Sequence, residues 1–204
     1  TADATEVCAD NLIKDSQIGR LTISWTQGYQ KDPLTGLPKL DENGRLTYDK
    51  LYAYGGRSVS IVDPETKQIV WDSGSEFEQK IAELFPEQFN SNHEAFKFDD
   101  RSDNKGPEPE GVTLGKIGEK TFAFIGLERA SGIMVYDISN PNQAKLVQYL
   151  NHRNTNETEV TKQGDLGPEG LIFIAAKNSP NGRPLLVVGN EVSGSTAVYE
   201  VKLN

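Results

Sequence analysis

The sequence contains one cysteine and two histidines among its 204 residues. The single thiol, Cys8, excludes an internal disulfide framework and any zinc site that needs several cysteines, and we expect it to be inert. The two imidazoles, His93 and His152, exclude a metal centre built mainly from histidine.

Long apolar runs and a basic surplus are also lacking. The longest apolar stretch, residues 171–176, has the length of a strand, far short of the roughly 18 residues of a membrane span. Acidic residues outnumber basic ones by 30 to 21, and the formal net charge of −9 argues against binding to a nucleic-acid backbone. We therefore predict no membrane span and no nucleic-acid partner.

What is present is typical of a globular β-protein. Period-two alternation over 20–25 predicts a strand, and further strands are expected at 51–54, 59–62 and 68–71, with a long loop at 27–49. One helix is predicted, with Ser75 as N-cap and Pro86 closing the segment. The apolar residues at helical spacing indicate that one face of this helix packs in the core. They are Phe77, Ile81, Leu84 and Phe85.

The second half of the chain contains one pattern twice: a Gly-Pro-Glu turn, an apolar strand, a glutamate after the strand, and a second strand. Glu110 and Glu169 in the turns are 59 positions apart, and Glu128 and Glu191 after the strands are 63 apart. Repeats of about 40–60 residues with several short strands indicate a β-propeller or a related array.

These repeats predict an all-β fold, a partial β-propeller of about three four-stranded blades with one short helix. The expected blades cover residues 20–72, 106–150 and 165–204, and a helix and loop insertion covers 74–105. Closed propellers typically have about 4–8 blades, so we expect the chain to be a fragment whose partner is the rest of a parent propeller. Exposed blade faces would make the isolated fragment a homo-oligomer. Residues 1–19 read as a polar leader or a strand contributed to another blade.

Several motifs carry a resemblance to a known family. The segments 105–111, 126–129, 132–141, 165–170 and 189–194 resemble the choice-of-anchor I proteins, and the stretch from Leu51 to Ser75 also matches. The resemblance implies a secreted or surface-anchored bacterial β-propeller, of which this chain is the C-terminal part. Members are often labelled alkaline-phosphatase-like or phosphodiesterase-like, but the resemblance brings no agreed catalytic set.

The repeated glutamates are the first candidate site. If equivalent turns converge at one end of a propeller channel, Glu110, Glu128, Glu169 and Glu191 repel one another unless a cation neutralises them. Calcium suits such an oxygen-rich set, with Glu110 and Glu169 as its ligands. The alternative to a metal ion is neutralisation by arginines, which can bind carboxylates in a bidentate manner. The candidates are Arg57, Arg101 and Arg129. The competing interpretation is that each glutamate caps its own turn and recurs because the blade recurs.

A second candidate occurs only once, in the loop before the first Gly-Pro-Glu turn. There Asp99, Asp100 and Asp103 could be catalytic, or the loop could be a solvated charged segment. His93 could act as a general base beside it or be a surface histidine. Motifs of serine hydrolases, P-loop nucleotide hydrolases and zinc proteases are absent from the sequence.

Together these patterns predict a non-catalytic binding or scaffolding segment of an extracellular, periplasmic or cell-surface protein. The alternative is part of a metal-dependent alkaline phosphatase or phosphodiesterase with a carboxylate-rich site at the channel mouth. A phosphoesterase normally holds two metal ions with Asp, His and Asn ligands, and two histidines could supply only part of such a site. The small number of histidines therefore favours the binding or scaffolding segment over the phosphoesterase.

Overall fold

The computed structural model describes residue 14, residues 17–94 and residues 96–203. Cys8 and most of the segment 1–19 lie outside the described residues. In the described part the fold is mostly β, with three antiparallel sheets and one α-helix. The elements in chain order are β1 (Ser60–Val62), β2 (Ile69–Asp72), α1 (Glu76–Leu84), β3 (Pro109–Ile117), β4 (Lys120–Leu127), β5 (Ile133–Asp137), β6 (Lys145–Leu150), β7 (Pro168–Ile174), β8 (Leu185–Asn190) and β9 (Ser195–Glu200), with 3₁₀ turns at Pro86–Gln88, Val160–Lys162 and Ala176–Asn178.

The central sheet is a four-stranded antiparallel meander in the order β3-β4-β5-β6. Its strands lie within the predicted range 106–150. The tight connection from Ile117 to Lys120 passes through Gly118, whose φ of 62° lies in the left-handed region that glycine tolerates. Successive strands pair with their neighbours in the chain, as expected for short connections.

The two middle strands of this sheet are buried on both faces. In β4, Phe122 and Phe124 enter one core, and Ala123 and Ile125 enter the other. The same alternation continues in β5, and it follows from the period-two geometry of a strand. The first core lies against α1 and Trp71, and the second lies against the sheet β7-β8-β9. The central sheet is therefore the middle layer of the described structure.

The last sheet has three strands in the order β7-β8-β9, where four were expected. It repeats the central sheet closely: Pro168 pairs with Asn190 as Pro109 pairs with Leu127, and an irregular register follows both prolines. The two copies found in the sequence therefore occupy equivalent places in two neighbouring sheets. Among the described residues, no strand in this sheet corresponds to β6.

The first strands of these two sheets lie alongside each other, and glycine permits the close approach. A Cβ at Gly111 would lie 2.1 Å from the carbonyl oxygen of Glu169, and one at Gly115 would lie 2.5 Å from the ring of Phe173. Real Cβ atoms do not approach other atoms so closely, so a larger residue at either position would push β3 and β7 apart.

The predicted first blade is not a four-stranded sheet. Residues 60–72 form a two-stranded hairpin, but the expected strands at 20–25 and 51–54 are reduced to a single bridge between Ile23 and Ala53. Trp25 is 72% exposed and Tyr54 is 57% exposed. Alternation was misleading here because no layer formed by the described residues covers these side chains, and the turn-rich stretch between them forms isolated bridges.

The helix forms where it was predicted, after Ser75, and it ends at Leu84. Phe77 and Ile81 are buried in the first core, whereas Leu84 is 47% exposed. The Tyr136 hydroxyl donates to Glu76 Oε2 at 2.7 Å and ties the helix to β5. No helix among the described residues has the length and apolarity needed to cross a bilayer.

Candidate functional site

The candidate site lies where β3 begins and β4 ends. Because Pro109 pairs with Leu127, the residues that flank this pair are brought together. Carboxylate oxygens of Glu108, Glu110 and Glu128 lie within 4.8 Å of one another. We call the six charged residues gathered here the rim cluster: Arg101, Lys105, Glu108, Glu110, Glu128 and Arg129.

Glu108 is the centre of the rim cluster. Its side chain is 2% exposed, and three cations converge on its carboxylate. Arg101 donates directly to it, Lys105 Nζ lies 3.1 Å from Oε2, and Arg129 Nε lies 3.3 Å from the same oxygen. A buried carboxylate is expensive unless it is paired in this way.

Arg129 joins Glu108 to the second glutamate of the repeat. Its Nη2 lies 3.2 Å from Glu128 Oε1. Burial, with the nearby charge of Arg129, lowers the pKa of Arg101, although an arginine remains protonated at neutral pH. The rim cluster thus holds three cations and three carboxylates, so its formal charge is balanced by its own side chains.

Glu110 lies beside this network on the exposed side of β3. Partial desolvation beside the network raises the pKa of its carboxyl, and the nearby charges of Glu128 and Glu169 raise it further. The structure therefore brings Glu110 close to Glu128 and within electrostatic reach of Glu169. Glu191 is exposed and joins none of the ion pairs found in the described part of the chain.

The acidic loop 99–103 is not a solvated segment, which corrects one of the two interpretations offered for it. Asp103 is fully buried, and its carboxylate accepts from Arg20 Nε at 2.8 Å and Nη2 at 2.9 Å. Burial alone would raise the pKa of Asp103, but the hydrogen bonds and charge of Arg20 lower it. Asp99 accepts from Ser102, and Asp100 pairs with Lys97. These three aspartates hold the loop in shape.

Arg57 does not reach the repeated glutamates. Its guanidinium pairs with Glu78 of α1 at 3.0 Å and donates to the carbonyl oxygens of Arg101, Ser102 and Asn104. It fastens the loop before β3 to the helix. Asn90, which is 2% exposed, reinforces this connection because its side-chain amide donates hydrogen bonds to Glu78 and to the Ser102 hydroxyl.

His93 is buried rather than on the surface, with 6% of its area exposed. Arg129 Nη1 lies 2.6 Å from Nδ1 and 2.9 Å from Nε2 of the ring. An arginine can only donate, so the imidazole accepts and is neutral. Burial and the charge of Arg129 lower its pKa accordingly. This contact occupies the lone pair that a general base would need.

Another arginine, Arg153, holds the loop that contains His93. Arg153 is 6% exposed and donates to Gln163 Oε1 at 3.0 Å and to the carbonyl oxygen of His93 at 2.7 Å, while its guanidinium lies 4.1 Å from the ring centroid of Phe96. Burial lowers its pKa to about 10. Arg153 thereby links the loop before the site to the segment that leads into β7.

The carboxylates able to offer oxygen ligands to a metal are Glu108, Glu110 and Glu128. The expected calcium pair was Glu110 and Glu169, and Glu169 is not in this set. Hard oxygen ligands suit calcium. However, Glu108 already lies against three cations, and a divalent ion placed beside them would be repelled.

Sequence reasoning missed the residue at the centre of the site. Glu108 lies two positions before Glu110 in the same motif, but only Glu110 has a counterpart in the second copy. The available signal was that Pro107-Glu108 is an additional Pro-Glu step in the first copy. Lys105, Arg20 and Arg153 were also missed, because nothing in their local sequence shows their distant partners.

Comparison with known proteins gives the family context. The sequence model of the Choice-of-anchor I domain family matches residues 2–141. Gigasin-3a of Magallana gigas is 30% identical over 200 residues, covering 92% of this chain and 66% of its own length. The mesenchyme-specific cell surface glycoprotein of Strongylocentrotus purpuratus is 27% identical over 169 residues, covering 76% of this chain and 19% of its own. The chain thus spans just under two thirds of the first relative and about a fifth of the second. No solved structure matches the chain.

Proposed function

Because the chain belongs to the choice-of-anchor I domain family, we propose that it is a non-catalytic binding and scaffolding part of a secreted or surface-attached protein. The family and the name of the Strongylocentrotus purpuratus relative, a cell surface glycoprotein, support an extracellular, periplasmic or cell-surface location. A bacterial origin and a place at the C-terminus of the parent stay predictions.

The observation that carries the proposal is the internal neutralisation of the rim cluster. A phosphate-ester enzyme needs cations or metal ions that are free to meet the substrate's phosphate. Here Arg101, Lys105 and Arg129 all converge on the buried carboxylate of Glu108, so that carboxylate takes the place that an anionic ligand would need. Such an arrangement stabilises the loops at the ends of β3 and β4.

We further propose that the sheets belong to a partial β-propeller whose remaining blades come from the parent protein. Two consecutive meander sheets, packed face to face with their first strands adjacent, support this architecture. Exposed apolar side chains on β3 and β7, such as Leu114 at 58% and Ile172 at 62%, lie where further layers would pack. The isolated chain should therefore associate and elute above 22.5 kDa on size exclusion.

The functional proposal is tested by metal content and hydrolysis together. The purified chain, dialysed without chelator, is expected to retain at most calcium by elemental analysis. It should not hydrolyse p-nitrophenyl phosphate or bis-p-nitrophenyl phosphate with calcium, magnesium, manganese or zinc added. Stoichiometric zinc, iron or manganese, with hydrolysis that Glu110→Gln removes, would overturn the proposal.

The second candidate is part of a metal-dependent phosphoesterase, and one observation favours it: three glutamate oxygens lie within 4.8 Å of one another. If calcium binds there, Glu110→Gln should weaken binding in calorimetric titration, whereas Glu191→Gln, at the place in the next sheet that is equivalent to Glu128, should leave it unchanged. Hydrolysis that requires Glu110 and a bound metal would establish this candidate.

A further inference from the structure

A groove of about 530 Å³ lies beside β9, between the last sheet and the outer half of the central sheet. Its walls include the core side chains Phe122, Phe124 and Leu186, together with Tyr199 of β9. Val147 of β6, on the opposite wall, is 57% exposed. The groove therefore opens directly onto the second hydrophobic core.

The groove lies where a fourth strand of the last sheet would be. In the central sheet, β5 pairs with β6, but β9, the counterpart of β5, has no neighbour on its outer side among the described residues. The position of the missing strand can therefore be inferred from the central sheet, in which the equivalent fourth strand, β6, is present.

The backbone of β9 is arranged to receive such a strand. The backbone N–H of Val201, just after β9, donates to the Pro184 carbonyl at 2.9 Å, so the backbone groups of Val201 face the β8 side. Because antiparallel strands alternate the direction of their backbone groups, those of Thr196, Val198 and Glu200 face the open edge. An unpaired edge beside an apolar groove is a template for strand addition.

The complete sheet also indicates the chemistry of the occupant. In β6, Leu146 and Tyr149 face the preceding layer, where they pack on the first core. Tyr149 makes an edge-to-face contact with Phe85 at 5.8 Å between ring centroids. Side chains at the equivalent positions beside β9 would enter the groove. The groove thus fits an extended strand with apolar residues spaced as in β6.

We infer that the groove beside β9 is a docking site for an extended strand of the same polypeptide, from beyond the described residues, which completes the last sheet. An apolar groove is suited to a permanent strand, since leaving it empty keeps apolar wall side chains such as Val147 in contact with water. The curated relatives have the additional length required, because about a third of Gigasin-3a lies outside the region it shares with this chain. The inference rests on the proposed partial propeller but not on the absence of catalysis.

The test uses a fluorescent peptide with the sequence of residues 144–151, added to the 204-residue chain and followed by anisotropy. The peptide is expected to bind, and a version carrying Leu146→Ser and Tyr149→Ser should bind at least about tenfold more weakly. Val198→Pro in the protein removes an outward N–H and should abolish binding, whereas Val198→Ala keeps the N–H and should retain it. Unchanged circular dichroism of Val198→Pro shows that the fold survives.

Hydrogen exchange identifies the source of the strand. In the whole protein, the amides of Thr196, Val198 and Glu200 should exchange at least about tenfold more slowly than in a monomeric chain with an open groove, and the peptide should not bind. Protection already present in the monomeric 204-residue chain, and lost on removing residues 1–13, would also support the inference.

Three results would overturn it: no peptide binding by a monomer whose β9 amides are unprotected, equal binding of both peptides, or protection of β9 only in a dimer of this chain. Hydrolytic activity would refute the proposed function and leave these readouts untouched, so the two failures are distinguishable.

Discussion

Arg129 holds Glu108 and Glu128 in one ion network, with its Nε 3.3 Å from a Glu108 oxygen and its Nη2 3.2 Å from a Glu128 oxygen. Glu108 directly precedes β3, and Arg129 follows β4 by two positions. The contact therefore closes the end of the β3–β4 pair, with Arg101 and Lys105 completing the charge balance around Glu108.

Glu108→Gln should be strongly destabilising. The substitution leaves two arginines and a lysine beside a neutral amide, and an unbalanced, partly buried cluster of this kind costs about 2–4 kcal/mol of unfolding free energy. Urea denaturation at pH 7 measures the change. Glu110→Gln is the matched control, because that side chain is exposed and its loss should change stability by less than about 1 kcal/mol. Equal losses for both variants would contradict a central role for Glu108.

The stability of the Glu110→Gln variant relative to the parent chain should increase as the pH rises. The pKa of Glu110 in the folded chain is raised above its ordinary value of 4.5, so its stabilising contribution is complete below about pH 4.5 and is lost as the pH rises through the folded pKa. The glutamine variant cannot ionise and avoids that loss. Denaturation at pH 4 and pH 7 should show a larger advantage of the variant at pH 7, and the opposite trend would refute the assignment.

Asp103→Asn should have the reverse pH dependence. The pKa of Asp103 is held below its ordinary value of 3.8, so its contribution is present above about pH 3.8 and is lost as the pH falls through the folded pKa. Asp103→Asn should therefore be less stable than the parent at pH 6, with the difference shrinking below about pH 4. Thermal melts across this range measure it. A double variant with Arg20→Gln should lose less than the two single losses added together, because both remove the same contact.

Gly111→Ala should disturb the packing of β3 on β7. The added methyl group would meet the Glu169 carbonyl at 2.1 Å, and overpacking of this kind typically costs about 1–3 kcal/mol. Gly170→Ala, in β7, is the control, because nothing lies within 4 Å of its Cβ position. Both variants can be compared by differential scanning calorimetry, and similar midpoints for the two would show that the strands do not pack as described.

Much of the fold could be predicted from local patterns. The helix after Ser75 formed at the predicted place, because its acidic first turn and apolar spacing are encoded within a few residues, although Ser75 makes no side-chain capping hydrogen bond. The two copies of the Gly-Pro-Glu repeat proved to be equivalent in register as well as in sequence. Alternation failed at 20–25, where it signals a strand only if a neighbouring layer is available to cover one face.

The candidate site was less predictable, since its contacts join residues that are far apart in the chain. Arg20 and Asp103 are 83 positions apart, and Arg129 and His93 are 36 apart. Repetition drew attention to Glu110 and Glu169, whereas the buried centre is Glu108, which occurs in one copy only.

The amino-acid sequence by itself determined the β-rich character, the repeat and the helix, since each depends on spacing between near neighbours in the chain. Only the tertiary structure decided which carboxylate is buried, which cations neutralise it and which sheet lacks its fourth strand. Burial and charge pairing are set by how layers pack, and that packing brings together residues from distant parts of the chain.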